Sequence, residues 1–178
     1  MANYITASRI LLIFPIIFFI SGDDNPSNWI ALGLFVIAGL TDHLDGYIAR
    51  KTKTTSDLGA LLDLIADKLL ICIPLLYLLS YPNNSDLVMP SIIIVSRELI
   101  VSSVRQFLAE NSARNQLKVS YIAKSKTTLQ IIALSFLIIS PNFEGLFYFI
   151  TTILFWLASF ISLYSLYDYL KIYKNLMK

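Results

Sequence analysis

Four aspartates are spaced as though to share one site. Asp42 and Asp45 lie three residues apart, and Gly59, Asp63 and Asp67 follow at successive spacings of four. On helices these intervals put Asp42 and Asp45 on one face and the second set on one stripe. Two helices joined by a short basic loop lie as antiparallel neighbours, so all four carboxylates can converge at one end. Two like charges about 4 Å apart repel by roughly 4 kcal/mol at an effective dielectric near 20, and four carboxylates make several such pairs. Arg50 and Lys68 cannot offset all of it. Hard oxygen donors without a His/Cys set suit Mg²⁺ or Mn²⁺ rather than zinc, and four of them can bridge two ions about 3.5–4 Å apart. A metal pair of this kind suits phosphoryl chemistry, because it neutralises a diphosphate and stabilises both oxygens of an in-line displacement. Gly46 and Gly59 let a nucleotide or the facing backbone come close. His43 is read as a neighbour of the site. The alternative is a proton or cation pathway in a transporter. Transporters usually carry repeated, broken helices with sites near the midplane, whereas this cluster sits near one interface and has no repeated counterpart.

The elements that position these acids follow from composition. A chain of 178 residues predicts one domain, spanning 1–178. Hydrophobic residues make up 56% and charged residues 15%, with a mean hydropathy of +0.67, whereas a soluble domain carries about 25% charged residues. An ordinary water-soluble globule is excluded. Fourteen Lys plus Arg against twelve Asp plus Glu leave a formal +2, which gives no case for nucleic acid as a partner. The partner is lipid. The single cysteine, Cys72, has no intrachain partner and reads as a small core residue.

A membrane-spanning helix needs about 20 mainly apolar residues. Six candidates run approximately Ile5–Ile20, Asn28–Ala49, Leu58–Ser80, Leu87–Leu108, Ser120–Ser140 and Gly145–Tyr169. Turn-forming segments such as Tyr81-Pro82-Asn83-Asn84-Ser85 separate them. The first is read as an uncleaved span, since it has little basic flank and no small-x-small cleavage site. The separators after spans one, three and five contain no Lys or Arg, whereas Arg50, Lys51, Lys53, Arg114, Lys118, Lys124, Lys126, Lys171, Lys174 and Lys178 lie on the other side. The positive-inside rule makes that side cytoplasmic, with both termini and the acids near its membrane surface. The expected fold is an all-α integral membrane protein of six transmembrane helices.

A second group of charges sits in spans four and five. Arg97 and Arg105 are eight apart, on one helical face, and have only Glu98 as a nearby acid. Charges within a span need a partner, and such an arginine pair wants an anion. Lys124 and Lys126 can complete an anion pocket as point charges around a phosphate. Lys51, Lys53 and the lysines at 171–178 read as anchors to anionic headgroups. The aromatic stripe Phe147, Tyr148, Phe149, Phe155, Trp156 and Phe160 reads as lipid-facing or packing surface, and Gly33 and Gly39 as helix-packing positions.

The pattern Asp42-x-x-Asp45-Gly46-x-x-Ala49-Arg50, eight residues, Gly59, three residues, Asp63, three residues, Asp67 resembles the signature of the CDP-alcohol phosphatidyltransferases at every fixed position. The segments Ser96–Arg105 and Ala123–Gln130 are similar to those of family members whose acceptor is sn-glycerol 3-phosphate, so the resemblance covers nearly the whole chain. One departure is Asp63-Leu64-Ile65-Ala66-Asp67, where relatives often have Pro after the third Asp; it leaves the ligand set intact. The resemblance implies a six-helix membrane enzyme, in the cytoplasmic membrane of a bacterium, that takes CDP-diacylglycerol as donor and sn-glycerol 3-phosphate as acceptor. It implies that Asp42, Asp45, Asp63 and Asp67 bind two divalent cations, Mg²⁺ or Mn²⁺, with Asp67 also accepting the acceptor's proton. Gly46, Arg50, Ser56, Asn3 and Thr6 would contact the CDP-lipid, and Arg97, Arg105, Lys124 and Lys126 the acceptor phosphate. It further implies a homodimer. Serine, inositol phosphate or phosphatidylglycerol is the alternative acceptor within the family.

Overall fold

A computed structural model describes the backbone of residues 2–22, 25–52, 57–110, 121–143 and 145–176, and side-chain surroundings over 8–22, 25–41, 59, 61–104, 106–107, 126–143 and 145–171. Among the described residues there is no strand. Six α-helices, α1 (Ala2–Ile20), α2 (Asn25–Thr52), α3 (Asp57–Leu79), α4 (Val88–Glu110), α5 (Tyr121–Ile139) and α6 (Gly145–Leu176), are joined in part by short 3-10 turns at Pro82–Leu87 and Ser140–Asn142. At about 1.5 Å per residue, even the two 19-residue helices are roughly 28 Å long. Two stretches, Pro82–Val104 and Gly145–Lys171, are long and apolar enough by themselves to cross a membrane. The first half of α3 falls short because it carries Asp63, Asp67 and Lys68, leaving its apolar run to the second half.

The outer surface is apolar. Phe14, Phe18 and Leu146 are each more than 70% exposed, and apolar surface on this scale is foreign to a monomeric protein in water. Inside, one core joins α1, α2, α3 and α5 through Ile13, Ile16, Ala31, Phe35, Ala38, Leu70, Leu75, Leu134 and Leu137. Hydroxyls within the helices bond back to their own backbone, as Ser102 does to Glu98 O (2.7 Å), Thr151 to Phe147 O (3.0 Å) and Ser159 to Trp156 O (2.7 Å). These hydroxyls therefore make no polar demand on lipid.

Among the described residues α1 packs along both α2 and α3, the helices bearing the acids, and α2 also packs on α5. One expectation changes. Gly33 and Gly39 are not close-packing positions: a Cβ at either would meet nothing within 4 Å. The small residues that let neighbours approach α2 are Ala31 and Ala38, both fully buried. The aromatic stripe of α6 divides. Phe155 is in the core and Phe149 and Phe160 are exposed, while Phe147 stacks on Phe136 and Phe143 with centroids 5.0 and 4.5 Å away.

The turns after α1, α3 and α5 gather at one end and are tied by neutral side chains. Asn84 Nδ2 donates to Leu78 O (2.7 Å), which satisfies a carbonyl in the last turn of α3. Tyr148 donates to Asn83 O (2.8 Å), and Asn28 Nδ2 donates to Asn142 Oδ1 (2.8 Å). A cavity of about 360 Å³ opens here among Asn25, Asn28, Asn83, Asn84, Asn142 and Tyr148. Its lining carries no charge, and the acids lie toward the opposite ends of α2 and α3.

Candidate functional site

Two sets of charged residues lie away from those turns. The acidic one starts on α2, which runs unbroken from Asn25 to Thr52, so Asp42, Asp45, Gly46 and Arg50 share one helix. The side chains of residues 42–50 lie outside those described, as do those of Asn3, Thr6 and all of Ser56. The partner stripe lies in the first three turns of α3. Gly59, Asp63 and Asp67 follow one another at single turns of a continuous helix, and Asp63 and Asp67 are both exposed. Among the described residues no three His, Cys, Asp or Glu side chains are gathered as a metal site.

Arg9 on α1 completes this side. It is fully buried, the one charged residue of its helix, and its Nη1 donates to Asp63 Oδ1 at 3.2 Å while the Asp63 side chain stays 52% exposed. The aspartate holds that cation in the apolar interior. An Arg in mid-span always needs a partner, and that was the only sign of it in the sequence. The donor set fits a hard divalent cation, since Asp63 and Asp67 offer carboxylate oxygens on one exposed face.

The second cluster centres on Glu98 of α4, whose side chain is 8% exposed. Its Oε2 accepts from Lys68 on α3, and its Oε1 accepts from Lys126 on α5 and from Arg97 Nη1 at 3.2 Å. Arg97 continues to α6, donating through Nη2 to Ser165 Oγ at 2.7 Å and lying 6.0 Å from the Tyr169 ring centroid. One turn along α5 from Lys126, Gln130 Nε2 donates to Ser162 Oγ of α6 at 3.1 Å. Arg97 and Lys126, both expected at an anion pocket, are brought into one cluster with a shared carboxylate between them. The side chains of Arg105 and Lys124 lie outside those described. Lys68 adjoins Asp67 in sequence yet turns to α4, because consecutive helical residues point about 100° apart.

The family model for CDP-alcohol phosphatidyltransferases matches residues 1–164. The chain belongs to the CDP-alcohol phosphatidyltransferase family. Similar proteins named CDP-diacylglycerol–glycerol-3-phosphate 3-phosphatidyltransferase occur in Haemophilus influenzae (35% identical, covering 97% of this chain and 92% of the relative) and Rickettsia felis (38%, covering 97% and 94%). One from Shigella flexneri is 32% identical over 93% of this chain and 90% of its own length. Of the two clusters, one leaves carboxylates open and the other holds cations around a buried carboxylate.

Proposed function

We propose that the chain transfers the phosphatidyl group of CDP-diacylglycerol to sn-glycerol 3-phosphate, giving phosphatidylglycerophosphate and CMP. The family and the names of its relatives support this reading. The observation that carries the choice of acceptor is the composition of the Glu98 cluster. Among the described residues three cations, Lys68, Arg97 and Lys126, face one carboxylate, a formal surplus of +2 in a largely buried setting. A phosphate monoester supplies the missing charge, and a neutral acceptor such as serine does not.

In the reaction, the acceptor hydroxyl attacks the phosphorus that carries diacylglycerol. Its bond to the CMP oxygen breaks, and Asp67 takes the hydroxyl proton. Asp42, Asp45, Asp63 and Asp67 would hold two divalent cations, Mg²⁺ or Mn²⁺, which supply charge neutralisation for the diphosphate and for the departing CMP. Gly46, Arg50 and Ser56, with Asn3 and Thr6, hold the CDP-lipid; Arg97, Arg105, Lys124 and Lys126 hold the acceptor phosphate. Arg9 keeps Asp63 oriented in the pair described above.

The same reading makes residues 1–178 one membrane domain of six spans in a bacterial inner membrane. Both termini and the site face the cytoplasm, and the chain associates as a homodimer. The distribution of Lys and Arg supports the orientation. A cysteine at Asn83 should react with an impermeant label from the periplasm, and one at Lys53 should not; the reverse pattern would invert the topology. The acceptor is tested by giving the purified protein CDP-diacylglycerol, Mn²⁺ and a panel of glycerol 3-phosphate, serine, inositol phosphate and phosphatidylglycerol. CMP release is expected with glycerol 3-phosphate alone. Release driven by another alcohol overturns the acceptor, and none with any overturns the enzyme.

A further inference from the structure

Glu98 has no part in the reaction as written, yet it is the charge through which four helices are joined. Its two oxygens receive Lys68 from α3, Lys126 from α5 and Arg97 from its own helix, and Arg97 reaches α6 through Ser165. Glu98 is 6% exposed, Arg97 and Lys126 3% each, and Ser165 3%. A carboxylate buried among cations serves in one of two ways. It can neutralise them, in which case removing it strengthens the pull on any anion nearby. Or it can fix where their donors point, in which case removing it weakens that pull although the net positive charge rises.

The geometry favours the second. A lysine side chain is long and flexible, and Lys126 is held at its ammonium by Glu98. The guanidinium of Arg97 is held at two different nitrogens, Nη1 by Glu98 and Nη2 by Ser165, which fixes both its position and its plane. Neither contact exhausts its cation, because an ammonium has three donors and a guanidinium five. The arrangement also leaves the surplus positive charge in place, which a neutralising device would not.

We propose that Glu98 and Ser165 are positioning residues for the acceptor phosphate, orienting Lys126 and Arg97 to receive a phosphate monoester. This rests on the acceptor reading given above. Pre-oriented donors lower the cost of binding because little side-chain freedom remains to be lost when the ligand arrives.

The test uses the full chain in lipid nanodiscs, with the concentration of each substrate varied in turn and inorganic phosphate as a competitor of glycerol 3-phosphate. In Ser165→Ala the KM for glycerol 3-phosphate and the inhibition constant of inorganic phosphate should both rise at least threefold. The KM for CDP-diacylglycerol and kcat should stay within twofold. Glu98→Gln should raise the same two constants at least tenfold, and Glu98→Asp should recover part of the loss. A fall in the glycerol 3-phosphate KM of Glu98→Gln would mean that the carboxylate only neutralises, and overturns the proposal. Equal changes for both substrates overturn it as well, by making the cluster a rivet between helices. If Glu98→Gln does not fold, Ser165→Ala alone decides, because it removes one hydroxyl from α6. An unmutated protein that uses a different acceptor refutes the acceptor reading itself, whereas normal use of glycerol 3-phosphate with unaltered constants in Ser165→Ala refutes only the positioning role.

Discussion

The two charged clusters are inverses of each other. At Asp63 the carboxylate is half open and the cation, Arg9, is entirely buried; at Glu98 the carboxylate is buried under three cations, of which Lys68 is the most open, at 27%. The same residue types therefore end with opposite capacities. Under the proposed function the first cluster offers carboxylate oxygens to a cation, and the second offers cationic donors to an anion. Burial decides which member of a pair is spent on holding the structure and which is left for a ligand. Partner number then sets the sign of what the cluster can accept.

The comparison breaks most visibly at Asp67. General-base help is typically worth about 10²–10⁴ in rate, so Asp67→Asn should lower turnover by at least two orders of magnitude, and raising Mn²⁺ should not restore it. Asp63→Asn should instead lose metal affinity and recover in part at high Mn²⁺. Rescue of Asp67→Asn with continued failure of Asp63→Asn would exchange the two roles. CMP release at graded Mn²⁺ measures both.

A smaller effect is expected at Arg9, where the comparison holds that the cation is structural. Arg9→Gln removes a charged hydrogen bond to a half-exposed acid, and should cost about 1–2 kcal/mol of stability, less than a fully buried pair, because water screens one side. Its loss should fall chiefly on the metal-free protein, where the carboxylates repel one another. The difference in Tm with and without Mn²⁺ should therefore widen relative to the unmutated chain, since a ligand that binds only the folded state stabilises it. An unchanged difference would show that Arg9 does not act on the acids. Smallest of all is Tyr148→Phe at the uncharged end. It deletes the hydrogen bond to Asn83 O and should cost about 0.5–1.5 kcal/mol in thermal denaturation, with both KM values unchanged. A shift in either KM would join this end to the chemistry.

The acids were legible because helical spacing alone places Asp63 and Asp67 on one face, and α3 is continuous through both. The cations Arg97 and Lys126 were legible for another reason, as charges an apolar span cannot carry unaided. Their mutual holder was less so. Glu98 stood in plain view beside Arg97, but that it also takes Lys68 and Lys126 depends on three helices meeting, and residue spacing reports only on the helix that contains it. The partner of Arg9 is not legible in the sequence, because it lies 54 residues away and the helix of Arg9 carries no acid. Gly33 and Gly39 misled by the same gap. Small size permits a close crossing, but which side of α2 faces a neighbour was settled by Phe35 seeking the core along with Ala31 and Ala38. The packing of α1 along both α2 and α3 was likewise invisible, since the shortness of the connection between α2 and α3 says nothing about what else packs on them.

The bond from Arg97 to Ser165 spans 68 residues and ends in the last helix. Chains are made from the N-terminus at about 5–20 residues per second, so the acid-bearing helices and Arg9 exist well before residue 165 leaves the ribosome. Arg97 can pair with Glu98 on its own helix, but its second holder, Ser165, comes only when α6 arrives beside α4 and α5. The order of synthesis thus makes the orientation of the Arg97 guanidinium one of the last features of the bundle to be set.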